Sequence, residues 1–158
     1  MKPANILVNS EGFVKLTDFG ITKTLENTAE FCTTFVGTKN YMSPERILGK
    51  EYSYSSDIWS LGLIVYELAT GNFPYNFSKV FIEHLDCILK EPEPTLPGNG
   101  RFSPELQNFV TRCLRKKAEE RDSVIELCAH PWILKYSDRD ANLELWLAQV
   151  FDCMVIDD

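Results

Sequence analysis

Residues 58–71 read IWSLGLIVYELATG, a stretch whose helix is apolar on nearly every side. A helix of that kind is buried rather than laid on a surface, because any exposed stripe would leave apolar side chains in water. The rest of the chain has to surround it. Ser55, Ser56 and Asp57 offer capping oxygens just before the apolar run, and Gly71 supplies the residue that ends it. Three more helices are expected over residues 77–90, 104–116 and 123–129, separated by the Pro- and Gly-rich EPEPTLPGNG and the charged KKAEERD. Further on, Leu143, Leu145, Trp146, Leu147, Val150, Phe151 and Met154 give residues 140–155 a weaker amphipathic pattern, that of a helix needing a groove to lie in.

Strand signals are confined to the start. Ile6-Leu7-Val8 and Phe13-Val14-Lys15-Leu16 flank the turn-forming Asn9-Ser10-Glu11-Gly12, which predicts one hairpin. Residues 26–41 lack a sustained apolar period and are rich in Thr, so they read as a long mobile loop of the kind that usually carries function. The expected fold class is mainly α, with a short β-hairpin and this long loop. A length of 158 residues with 44% hydrophobic side chains suits one domain with its own core. The net charge of -7 argues against nucleic acid or an anionic membrane surface as a partner. Near Met1 no apolar stretch is long enough for a signal peptide or a span, so a cytoplasmic or nuclear location is expected. Cys32, Cys87, Cys113, Cys128 and Cys153 form an odd set without a CxxC pair and read as reduced thiols.

Three short motifs follow one another in order. Lys2-Pro3 with Asn5 comes first, Asp18-Phe19-Gly20 directly follows the second strand, and Ser43-Pro44-Glu45 closes the loop. Each alone is weak, but the ordered series is specific. KPANIL, DFG, FVGTKNYMSPER, SSDIWSLGLIVYELATGNFPY and the closing Arg121 with HPWI resemble the C-terminal lobe of a eukaryotic protein kinase, from the catalytic loop to the domain end. On that resemblance residues 1–135 are part of a kinase domain, and residues 136–158 are a C-terminal tail forming the amphipathic helix.

The resemblance implies ATP and Mg2+ as cofactors, because phosphoryl transfer requires the charge of ATP to be held and neutralised. Asp18 then resembles the principal magnesium ligand and Asn5 the ligand of a second ion. Lys2 resembles the cation between substrate hydroxyl and γ-phosphate. Leu7 and Thr17 resemble residues lining the adenine pocket, and Thr38 the residue that links the catalytic loop to the segment receiving substrate. Glu45 and Arg121 resemble a buried ion pair tying the end of the activation segment to the helical base. Asp57 resembles the helix-cap carboxylate that accepts hydrogen bonds from the catalytic-loop backbone.

Ser-Pro-Glu within VGTKNYMSPER, in place of the commoner Ala-Pro-Glu, is similar to the MAP kinase kinases. That family carries two phosphorylated Ser or Thr residues shortly before FVGT. Thr28 and Thr34, with five residues between them, match its plant and protist spacing. The implied partners are a MAP kinase substrate, phosphorylated on Thr and Tyr, and an upstream activating kinase. In the H-R-D signature the Asp stands five places before the Asn, which falls immediately before Met1, and the Gly-rich loop and its Lys lie farther upstream. The chain is therefore expected to be N-terminally truncated and inactive as it stands. The alternative is a non-catalytic kinase-like fragment that acts as a protein-binding module.

Overall fold

The computed structural model of the chain describes residues 1–17, 39–75, 81–138 and 141–155. Most of the expected loop, and the expected helix start at residues 77–80, lie outside them. Within the described residues a 3-10 turn at Pro3–Asn5 leads into β1 (Ile6–Val8) and β2 (Val14–Leu16), followed by a 3-10 turn at Lys39–Tyr41. Then come α1 (Pro44–Ile47), α2 (Tyr54–Thr70), α3 (Phe81–Lys90), α4 (Pro104–Cys113), a 3-10 turn at Ala118–Glu120, α5 (Val124–Cys128), α6 (Pro131–Tyr136) and α7 (Leu143–Val155).

β1 and β2 pair antiparallel, with Ile6 opposite Leu16, Leu7 opposite Lys15 and Val8 opposite Val14. The Asn9 side chain closes the hairpin by accepting from the Phe13 N–H at 2.8 Å, while Gly12 N–H donates to the Asn9 carbonyl at 3.0 Å. Gly12 has φ +81, and a Cβ there would come within 3.0 Å of the Leu143 side chain. Only glycine allows both the turn and the docking of α7 against it.

The central helix is α2, as its composition requires. Ile58, Trp59 and Leu63 meet Phe109, Val110 and Cys113 of α4 and Leu114 just after it, with Ile88 of α3, Leu127 of α5, Tyr75 and Leu96 around them. Gly62 lies where the two helices cross. An added Cβ would sit 2.6 Å from the Cys113 side chain and 2.8 Å from that of Leu114. Gly62→Ala is expected to overpack this crossing and cost about 1–3 kcal/mol, read as a lowered denaturation midpoint; an unchanged midpoint contradicts the close approach. Away from the crossing the helices diverge, and the far half of α2 is less enclosed than its composition predicts, with Leu68 80% exposed. Gly71 ends α2 in the left-handed region, φ 73, its N–H bonded to the Glu67 carbonyl.

Four local expectations are corrected. The N-cap of α2 is Ser53 rather than the Ser55–Asp57 group, and it makes no side-chain capping bond. Ser56 turns instead to Glu45 and Asp57 to other partners, so tertiary contacts take the oxygens that local pattern assigned to the cap. The helix expected to reach residue 116 stops at Cys113, because Glu93 captures the Lys116 N–H at 2.8 Å and the Arg115 guanidinium at 2.9 Å. Two short helices, α1 and α6, were not expected. Each opens with a proline at its first positions, the signal that would have found them. Finally, α7 begins at Leu143 and buries Leu147, yet Leu145, Trp146 and Phe151 remain about half exposed.

His130, buried, caps α6. Its Nδ1 accepts from the Trp132 N–H at 3.1 Å, which makes Nε2 the donor to Asn108 Oδ1 at 2.9 Å. Cys87, Cys113 and Cys128 are free thiols, and burial pushes Cys113 up to about 12.

Candidate active site

Lys2 is extended, φ -159, and Pro3 opens the following turn with its fixed φ. The Asn5 N–H donates to the Lys2 carbonyl at 3.0 Å, which sets Lys2 and Asn5 on one tight turn at the mouth of the hairpin. From the other strand, the Thr17 N–H donates to the Asn5 carbonyl at 2.8 Å. Backbone pairing thus brings Asn5 beside Thr17, the residue immediately before Asp18. Leu7 stands mid-strand opposite Lys15 and is 52% exposed, on the face away from Ile6 and Val8. Asp18, Thr28, Thr34 and Thr38 lie outside the described residues.

α2 is the platform to which both sides of the intervening loop are tied. Before the loop, Asp57 Oδ1 accepts from the N-terminal ammonium of Met1 at 3.3 Å. After the loop, Ser60 donates to the Tyr41 carbonyl at 2.8 Å and the Tyr41 hydroxyl donates to Glu67 at 2.5 Å. That hydroxyl is held protonated, because burial first and then the Glu67 carboxylate both disfavour the phenolate.

The strongest tie is between Glu45 on α1 and Arg121. Arg121 Nη1 and Nη2 donate to the two Glu45 carboxylate oxygens at 2.7 and 2.6 Å, and Ser56 adds a third donor at 2.8 Å. Arg121 also donates to the carbonyls of Arg115 (2.6 Å), Ser55 (2.8 Å) and Lys116 (3.1 Å), and its guanidinium lies 5.2 Å from the Trp59 ring centre. Burial by itself would raise the Glu45 pKa. The hydrogen bonds from Arg121 and Ser56 outweigh it and hold the carboxyl at about 2.

The protein kinase domain profile matches residues 1–133. The chain belongs to the protein kinase domain family. Among relatives, the chain is 49% identical to mitogen-activated protein kinase kinase 2 of Arabidopsis thaliana, over 90% of this chain and 41% of that protein. It is 45% identical to mitogen-activated protein kinase kinase 3 of the same plant, over 96% of this chain and 29% of that protein. With the dual specificity mitogen-activated protein kinase kinase dSOR1 of Drosophila melanogaster it shares 37% identity over 96% of this chain and 44% of that protein. The chain therefore spans well under half the length of these relatives. Protein kinases generally use ATP and Mg2+.

Within this kinase lobe the sequence motifs missed Tyr52. Its ring lies under the Arg46 guanidinium, 5.0 Å from centroid to Cζ, and its hydroxyl donates to Asp57 Oδ2. A tyrosine between charged and Ser residues carries no periodic signal, so only its contacts reveal it.

Proposed function

We propose that the protein is an ATP-dependent kinase of the MAP kinase kinase type, which phosphorylates Thr and Tyr in the activation loop of a MAP kinase. The observation that carries this is the 37–49% identity to mitogen-activated protein kinase kinases over 90% or more of the chain; the hydrogen bond from Thr17 N–H to the Asn5 carbonyl supports it by joining the two backbone stretches that bear oxygen donors suited to a nucleotide-bound metal. An Asn amide oxygen and an Asp carboxylate are hard donors of the kind magnesium takes, so Asn5 and Asp18 fit that ion. When bound, it neutralises the charge of the ATP phosphates.

Each remaining residue has a task in this scheme. Lys2 holds a positive charge toward the transferring phosphoryl group, where charge redistributes in the transition state. Leu7 and Thr17 form the floor and edge of the adenine site. Thr38 aligns the substrate-receiving segment, and the Glu45–Arg121 pair holds that segment's end on the helical base. In protein kinases the proton-accepting Asp is that of an H-R-D triplet, five places before the Asn. We place residues 1–135 in the kinase domain and 136–158 in a tail that carries α7 (Leu143–Val155). No helix among the described residues is long and apolar enough to cross a membrane. A cytoplasmic location belongs to the kinase reading itself.

Activation enters through Thr28 and Thr34. Phosphates there add roughly -1.5 to -2 charge each and order the loop by pairing with cations. Full-length protein treated with an upstream kinase and then given an inactive MAP kinase should phosphorylate it on both Thr and Tyr. Thr28→Ala with Thr34→Ala should abolish that activation, and paired acidic replacements should restore only part of it, since a carboxylate carries less charge than a phosphate. Phosphate found by mass spectrometry only at other loop positions would reject this pair of sites. Phosphorylation of unrelated proteins but never of a MAP kinase would reject the substrate class.

A further inference from the structure

α7 meets the hairpin at its tip. Gly12 sits there with φ +81, and a Cβ on it would lie 3.0 Å from both the Leu143 Cβ and the Glu144 main-chain nitrogen. The helix is started at this contact by Asn142, φ 40, which accepts the Leu145 N–H on its side-chain oxygen at 3.1 Å and the Trp146 N–H on its carbonyl at 3.2 Å. From there Leu143, Leu147 and Val150 recur at i, i+4 and i+7 and are buried or half-buried, while Glu144, Leu145, Trp146, Ala148 and Gln149 are exposed. The inward stripe therefore begins on the hairpin. Glu11 and Glu144 both line the recess where the two meet, so the contact rests on close fit and not on opposite charge.

We infer that α7 is a positioning element of the nucleotide site: its first turn, seated on Gly12, fixes the tip of the hairpin whose other end carries Asn5 and Thr17. A two-stranded hairpin is marginal in water and takes one shape only when something packs against it. This one has three residue pairs, from Ile6–Leu16 at the mouth to Val8–Val14 at the tip. At the tip the Asn9 N–H donates to the Phe13 carbonyl at 3.1 Å, and at the mouth the Thr17 N–H donates to the Asn5 carbonyl at 2.8 Å. Strand rise separates those two bonds by only about 10 Å. Over so short a ladder, freedom at the tip reaches the mouth, and Leu7 in the middle moves with it. The tail helix thus acts on Asn5 and Leu7 through the hairpin, without standing beside either in sequence.

This role rests on the kinase function proposed above, and it is tested in the full-length protein with Gly12→Asn, Leu147→Ala and the double variant. Asparagine tolerates a positive φ better than most side chains, so it spares the turn while its Cβ takes the space of Leu143. Leu147→Ala loosens the same seat from the helix side. Each should weaken the Kd for magnesium-ATP roughly five-fold, because the residues facing the nucleotide are no longer held in place. The double variant should be no weaker than the weaker single one, since both lose one contact. Leu145→Ala, on the exposed face, should stay within about two-fold of the parent. Hydrogen exchange at the Asn9, Phe13 and Thr17 amides should accelerate in both single variants, while the Leu63 amide in the core keeps the parent's rate. An unchanged Kd, faster exchange confined to Asn9 and Phe13, or equal acceleration at Leu63 would overturn the role. A parent protein that binds no nucleotide would instead defeat the proposed function, and Thr17 exchange would still decide whether α7 holds the hairpin.

Discussion

Replacing Arg121 by Met is expected to destabilise the protein by about 3–5 kcal/mol, the range for breaking a buried ion pair from one side. The size follows from what the guanidinium touches. Its side chain is fully buried against a Glu45 side chain that is 8% exposed, and it donates to both Glu45 oxygens and to three backbone carbonyls. Methionine fills part of the space over Trp59 but donates nothing, so it leaves a buried carboxylate and three acceptors without their partner. Thermal unfolding of the full-length protein should fall by on the order of 10 °C. Glu45→Gln should cost less, because an amide oxygen still accepts from Arg121 and from Ser56. A midpoint lowered by less than about 2 °C in Arg121→Met would show that the pair does not hold the segment down.

The same pair sets an acid dependence whose sign can be worked out. Glu45 has its carboxyl at about 2 in the fold against an ordinary 4.5, so the folded state favours the charged form. Its stabilisation is complete above pH 4.5 and is lost as the pH falls from there toward 2. In Arg121→Met the largest lowering hydrogen bond is lost while those from Ser43, Ser56 and the Glu45 backbone remain, so the preference of the fold for the charged form weakens, and the variant should lose less stability on acidification than the parent. Measuring both proteins side by side isolates this pair from the other carboxylates that titrate in the same range.

Asp18→Ala should reduce phosphoryl transfer to a MAP kinase by at least about a thousand-fold, as expected when an oxygen ligand that holds the nucleotide's metal is removed from a site with few such donors. Folding should be spared. The ties that hold the lobe together run through Glu45, Arg121, Ser60 and the core around Trp59 and Leu63, none of which needs the Asp18 carboxylate. The decisive comparison is activity against unfolding temperature, with the first lost and the second within about 2 °C of the parent. Retained phosphorylation would remove Asp18 from the site.

Some of this was legible because it depends on residue type over a short span. The hairpin needs only two apolar runs around Asn9 and Gly12, and the end of α2 needs only a glycine that tolerates φ 73. The motif series that marks the kinase lobe is of the same kind, as each motif is read one residue at a time. The local capping pattern, by contrast, misassigned Ser56 and Asp57. Each has its partner elsewhere, Glu45 for one and the Tyr52 hydroxyl with the Met1 ammonium for the other, and a side chain so engaged no longer obeys its nearest backbone.

The premature end of α4 has the same cause, since the carboxylate of Glu93 competes for the Lys116 N–H that a longer helix would have used. Leu68 is exposed because two crossing helices are close only near Gly62, a matter of geometry rather than of composition. Tyr52 belongs with these. Nothing in its neighbourhood along the chain distinguishes it, and it gains its partners only when α1 and α2 set Arg46 on one side of it and Asp57 on the other. Residue type alone decided which groups could do chemistry here, because that depends on their atoms. Tertiary packing decided which of them are held in one orientation, because that requires partners the local chain does not contain.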